Sequence, residues 1–198
     1  MTETKPHIIC YREVPRPKLM QTGKNDTGQR APLSQLRSMW FHGGGLAGNT
    51  WHHMTQRYAL ATTPDLPGHG AAPNVHPPRV ERYADMLEGD VPSGAVLIGH
   101  SLGGMVALAL AARLGKQISG LIMIEAVPTV RDRLSGRITA RVAQSISKAI
   151  PHNWLARLSG AGQSKRTKRE LRRQMAATNS VRVAAALKAA GQYDGRAL

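Results

Sequence analysis

Between residues 95 and 114 the chain changes character abruptly. Ala95-Val96-Leu97-Ile98 is an unbroken apolar run. Gly99-His100-Ser101-Leu102-Gly103-Gly104 follows, and apolar sequence then resumes as far as Leu114, just before Gly115. A short apolar run stopped by glycine reads as a buried strand. Residues 103–114 read as a helix that Gly115 can cap. A strand passing directly into a helix through a G-x-S-x-G sequence leaves few conformational solutions. Gly99 and Gly103 remove Cβ groups where the chain must bend. Ser101 can then occupy the bend with its hydroxyl toward a cleft. The Leu102 N–H, at the helix start, would face negative charge developing on a substrate oxygen. A plain serine turn or helix cap accounts for Ser101 but not for the strand, the glycines and the helix together.

The surrounding pattern predicts an α/β fold. Strands are expected at 37–41, 58–63, 95–98 and 118–124, with helices at 49–58, 80–87 and 103–114. The runs at 95–98 and 121–124 do not alternate apolar with polar. Burial on both faces of a mostly parallel sheet explains that. A further strand is expected at 7–14, and 18–35 reads as a long loop. After Pro128 the pattern becomes mostly helical to about residue 190, with breaks near 136, 151 and 160–162. That segment reads as a helical insertion over a sheet edge or ligand cleft, or as an extended helical tail.

Composition narrows the function classes. A chain of 198 residues suggests one principal domain, and 41% apolar residues can supply a substantial core. Cys10 is the single cysteine, which excludes an intramolecular disulfide and a multi-cysteine metal site. It fits a reducing, cytoplasmic setting. No apolar run reaches transmembrane length, and the first residues lack the apolar core of a secretory signal. His52 and His53 are adjacent, and His69 and His76 lack a carboxylate at metal-site spacing. No phosphate-binding or dinucleotide fingerprint is present, so neither metal nor cofactor is expected.

The net charge of +15 is unevenly placed. Residues 1–130 hold 12 basic and 9 acidic side chains, whereas 131–198 hold 15 and 3. Lys165, Arg166, Lys168, Arg169, Arg172 and Arg173 form the densest stretch. The plain reading is a solvated helix face. The functional reading is a field that attracts acidic ligands. With few aromatics to stack bases, specific nucleic-acid recognition is not expected.

His42-Gly43-Gly44-Gly45 also follows an expected strand. Its glycines let backbone approach a ligand, and the Gly44 N–H is the natural second oxyanion donor beside Leu102. His42 is expected to shape this loop. Phe41-His42-Gly43-Gly44-Gly45, Pro64-Asp65-Leu66-Pro67-Gly68-His69-Gly70 and Gly99-His100-Ser101-Leu102-Gly103-Gly104 together resemble the α/β-hydrolase superfamily over about residues 37–128. The resemblance implies Ser101 as nucleophile, with Leu102 and Gly44 as oxyanion donors. It makes Asp65 and His69 a structural turn. It divides the chain into a partial core, 1–128, and a helical cap with its exit, 129–198.

Family chain order places the acid and then the histidine after the serine. Here His152 is the histidine that follows Ser101, and it falls within the expected cap. Glu125, after the strand at 118–124, stands where some relatives carry the acid. Its alternative role is a polar contact anchoring the cap. Asp194 precedes the usual acid position and reads as linker. The last strands and the loops bearing the usual acid and histidine are expected to be absent.

The resemblance therefore implies a serine-dependent hydrolase of an ester or related acyl bond, with weak or lost activity. A shortened enzyme using His152 as base is one alternative. A non-enzymatic binder using the basic helical segment is another. C–C bond hydrolase and haloperoxidase-like chemistry share the same motif. The expected partner is a small acyl substrate, of acidic character if the basic field is used. Self-association through an uncovered edge at 118–124 is also expected.

Overall fold

Among the described residues, four short strands lie parallel in the order β2-β1-β3-β4: β1 (Ser38–Phe41), β2 (Ala61–Thr62), β3 (Val96–His100) and β4 (Gly120–Ile124). The computed structural model describes residues 35–129, 165–176 and 180–197. Among the described residues, five helices accompany the sheet: α1 (His52–Thr55), α2 (Val80–Leu87), α3 (Leu102–Leu114), α4 (Lys165–Ala176) and α5 (Ser180–Gln192). The expected α/β class and parallel sheet are present. None of the described helices is long and apolar enough to cross a membrane.

Successive strand residues point to opposite faces, and both faces are used. Met39, Phe41 and Leu97 enter the main core, against Tyr83 and Ala84 of α2, Val106 and Leu110 of α3, and Ala186 and Ala189 of α5. Trp40 and Ile98 point the other way and pack with Trp51. The Trp40 and Trp51 rings are tilted, with centroids 5.2 Å apart. This two-sided burial is why β1 and β3 lack polar alternation. Helix α2 shows the complementary period, burying Val80, Tyr83, Ala84 and Leu87 along one stripe. Arg113 joins α3 to α2, donating to Asp85 at 2.7 Å, to Glu88 at 3.1 Å and to Glu81 O at 3.2 Å.

Two elements differ from expectation. Residues 49–58 are a tight helical turn, Gly48–Trp51, followed by the short α1. The expected strand at 58–63 is reduced to Ala61–Thr62, paired with Ser38 and Met39. One ring explains the second change. Tyr58 packs on Trp40 at 5.6 Å, and the backbone turns there, with Ala61 N–H donating to Tyr58 O at 3.1 Å. The expected strand at 7–14 and most of the expected helical stretch before residue 165 lie outside the described residues. The helices α4 and α5 agree with the helical reading of the C-terminal third.

The chain leaves the sheet at Thr129 and comes back beside it at Asp194. Gly195 N–H donates to Pro128 O at 2.8 Å, and Thr129 Oγ1 donates to Tyr193 O at 3.1 Å. An isolated antiparallel bridge joins Thr129 and Asp194.

Strand β4 has β3 as its one strand neighbour among the described residues, and Ile122 is 42% exposed on it. An apolar edge with unpaired backbone groups invites pairing with another chain. The average mass of the 198-residue chain in light scattering is expected to rise with concentration. Ile122→Lys is expected to restore a monomer. A wild-type chain that stays monomeric across the series would contradict this.

Candidate active site

The turn after β3 is built by close backbone approach. A Cβ on Gly99 would lie 2.3 Å from Gly103 O, and one on Gly103 would lie 2.4 Å from Phe41 O. Only hydrogen fits at either place. Between them Ser101 takes φ 52° and ψ −119°, a conformation that L-residues rarely adopt. Its N–H donates to Ile124 O at 2.9 Å, tying the bend to the end of β4. Helix α3 begins at the next residue, Leu102. The Ser101 side chain is exposed.

The glycine loop after β1 closes over this bend. A Cβ on Gly44 would sit 3.8 Å from Leu102 Cδ2 and 3.3 Å from Ala186 Cβ. Gly44 thus lies between the start of α3 and helix α5, and Val183 of α5 covers Gly45. The N–H groups of Leu102 and Gly44 make no hydrogen bond among the described residues. The fold therefore gathers Ser101, Leu102 and Gly44 from two separate loops. Two N–H groups beside an exposed hydroxyl can hold the oxygen of a carbonyl under attack.

His42 serves the loop. Its Nδ1–H donates to Gly43 O at 2.8 Å, and its Nε2 accepts from Leu66 N–H at 2.9 Å. Both ring nitrogens are occupied, the ring is fully buried, and neither is free to take a proton from Ser101. Burial pushes its pKa down to about 4, against the opposing effect of the bond to Gly43. The His69 ring meets His42 edge-on at 5.1 Å and donates from Nδ1 to Pro67 O at 3.1 Å. Burial lowers its pKa as well. Asp65 ties the loop ends together, accepting from Gly48 N–H at 2.7 Å and Ala71 N–H at 2.9 Å. Asp65 and His69 hold the turn, as the resemblance implies, and His42 joins it to the glycine loop.

These buried imidazoles carry a stability consequence. The unfolded chain takes up their protons near the ordinary histidine value, about 6.5, while the native state resists until lower pH. Their contribution is complete above that value and is lost as pH falls toward 4. For His42 it is on the order of 3 kcal/mol. The urea midpoint is expected to drop between pH 7 and pH 4.5, and equal midpoints would contradict the assignment.

Glu125 ends up next to the elbow. Its carboxylate accepts a hydrogen bond from His100 Nε2 at 3.2 Å. His100 is the residue that sequence reasoning passed over. Its place beside Ser101 in the motif was visible, but its pairing with Glu125 depends on the parallel register of β3 and β4. His152 lies outside the described residues. Among the described residues no imidazole is hydrogen-bonded to the Ser101 hydroxyl, and no group of histidine, cysteine and carboxylate side chains could hold a metal.

The basic helix α4 is anchored from the core side. Thr50 Oγ1 donates to Gln174 Oε1 at 2.5 Å, and Gln174 is buried. Lys165, Lys168, Arg169 and Arg172 line an open concavity of about 330 Å³.

A parallel sheet, a strained serine between strand and helix, and an opposing glycine loop define the hydrolase class to which such elbows belong. The chain belongs to the alpha/beta hydrolase family, whose sequence profile it matches over residues 40–197. It is 39% identical over 90 residues to the pimeloyl-[acyl-carrier protein] methyl ester esterase of Aromatoleum aromaticum, covering 44% of this chain and 36% of that one. It is 32% identical over 158 residues to the enzyme of that name from Chromobacterium violaceum, covering 75% and 61%. The chain thus spans between about a third and three-fifths of the length of these relatives. A thermophilic esterase from Thermogutta terrifontis shares the fold, with a TM-score of 0.68, 21% identity, and coverage of 81% of this chain and 65% of that one.

Proposed function

We propose that this chain carries out Ser101-dependent hydrolysis of a carboxylic ester. The observation that carries the reading is the exposed Ser101 at φ 52°, close to Leu102 and Gly44, whose N–H groups have no partner among the described residues. Ser101 Oγ attacks the ester carbonyl as its proton passes to a base. The carbonyl oxygen, now negative, is held by the Leu102 and Gly44 N–H groups. Collapse expels the alcohol, which leaves with a proton, and the acyl group stays on Oγ. Water then releases the acid and restores the serine. With His42 and His69 committed to the loop, turnover by this chain is slow. The base is His152 or a proton acceptor from solvent.

The relatives' names favour ester cleavage over the C–C bond hydrolysis and haloperoxidase-like chemistry that the same elbow serves. They also supply a substrate class: a methyl ester on an acyl chain borne by a carrier. Residues 129–198 act as a cap, with α5 over the glycine loop. The cationic face of α4 favours an acidic acyl ligand or acidic carrier.

Diisopropyl fluorophosphate tests the nucleophile. It is expected to add slowly to Ser101 Oγ with loss of fluoride, and the Ser101-containing peptide then gains mass. A folded chain labelled elsewhere, or not at all, would refute the reading.

A further inference from the structure

Ser101 and Glu125 are the two non-glycine residues with positive φ among the described residues, at 52° and 47°. They stand side by side. His100 pairs with Ile124 in the parallel register, so Ser101 and Glu125 are the residues that directly follow the ends of adjacent strands. Backbone strain at strand ends beside a cleft persists where the side chain it displays is used. Glu125 displays its carboxylate to His100 Nε2 at 3.2 Å.

A neutral imidazole that gives its Nε2–H to a carboxylate keeps its lone pair on Nδ1. In His100 that atom lies against the glycine loop. A Cβ on Gly43 would be 2.7 Å from His100 Nδ1 and 3.6 Å from Ser101 Cβ. Gly43 leaves room for the ring, and the ring brings an acceptor to within a residue of both Ser101 and Gly44. His100 Nδ1 has no hydrogen-bond partner among the described residues. It does not engage the Ser101 hydroxyl, which separates it from the role of base.

We propose that His100, oriented by Glu125, is a recognition residue that selects acyl groups carrying a hydrogen-bond donor, such as a hydroxyl, close to the ester carbonyl. This rests on the Ser101 reading for the position of the carbonyl. Glu125 is a positioning residue. Its carboxylate holds the ring in the tautomer and orientation that aim a lone pair at the acyl group.

The test uses the full chain with Ser101→Ala, which leaves the ester intact. Methyl β-hydroxybutyrate and methyl butyrate are titrated separately at about pH 9, where imidazole is neutral, and the His100 ring nitrogens are followed by NMR. The hydroxy ester is expected to bind about three- to tenfold more tightly, the worth of one neutral hydrogen bond, and to shift Nδ1. Methyl butyrate is expected to leave Nδ1 unmoved. His100→Phe removes the preference. His100→Asn, which returns an amide oxygen near the Nδ1 position, restores part of it. Glu125→Ala lowers the preference without preventing binding. Equal binding of the two esters, or a preference that survives His100→Phe in a folded chain, overturns the proposal. Failure of the Ser101 reading shows separately, as fluorophosphate labelling and ester turnover that do not depend on Ser101.

Discussion

Ser101→Ala is expected to lower hydrolysis of p-nitrophenyl acetate by about 100-fold or more, to a rate close to that in buffer. The wild-type chain is itself expected to be slow. Its elbow and two N–H groups can orient the ester and hold developing charge, but serine is a weak nucleophile without a positioned base. A measurable starting rate is still expected, because the two N–H groups can hold the oxyanion that forms when Ser101 adds to the ester. Purified wild type, Ser101→Ala and His152→Ala are compared under identical conditions, with folding checked by circular dichroism. The expected pattern is a collapse in the first variant and little change in the second. An equal collapse in both would place the base at His152. A rate indifferent to Ser101→Ala would remove the serine from the mechanism.

Gly103→Ala is expected to destabilise the fold by about 4 kcal/mol or more, the size reserved for changes that force backbone apart. The added methyl would lie 2.4 Å from Phe41 O and 2.5 Å from His42 O. Phe41 pairs with Gly99 at the end of the β1–β3 ladder, and His42 follows it directly, its buried ring hydrogen-bonded to Gly43 O and Leu66 N–H. Neither can retreat without breaking the sheet beside the elbow. Gly89→Ala is the matched control. No atom lies within 4 Å of a Cβ placed there, so its effect is expected to stay within about 0.5 kcal/mol, as for ordinary surface substitutions. Urea denaturation of both variants reads the difference. A Gly103→Ala chain as stable as Gly89→Ala would mean that the elbow is not packed against β1 as described.

The elbow was legible in sequence because its causes are local. An apolar run, two glycines spaced around Ser101 and an apolar helix with Gly115 at its end leave one compact path for the backbone, and Ser101 takes it at φ 52°. The parallel sheet was legible for a related reason: Met39, Trp40 and Phe41 form an unbroken apolar run, and all three are buried, on alternate faces of the sheet. Strand and helix ends were less legible, because tertiary contacts decide them. Tyr58 is drawn onto Trp40, and the strand that sequence placed at 58–63 survives only at Ala61–Thr62.

What tertiary structure alone decided is which polar groups meet. His42 gave no sign in sequence that Leu66 N–H would occupy its Nε2 and burial its charge. His100 and Glu125 carry no shared motif. They meet because β3 and β4 run parallel in a register that sets His100 against Ile124, one residue before Glu125. Helix α5 reaches Gly44 because the chain is pinned between Thr129 and Tyr193 after a long excursion. Spacing along the chain encodes conformations that neighbouring residues impose on one another. It does not encode distances closed by a sheet register or a returning helix, which exist only once the core has assembled.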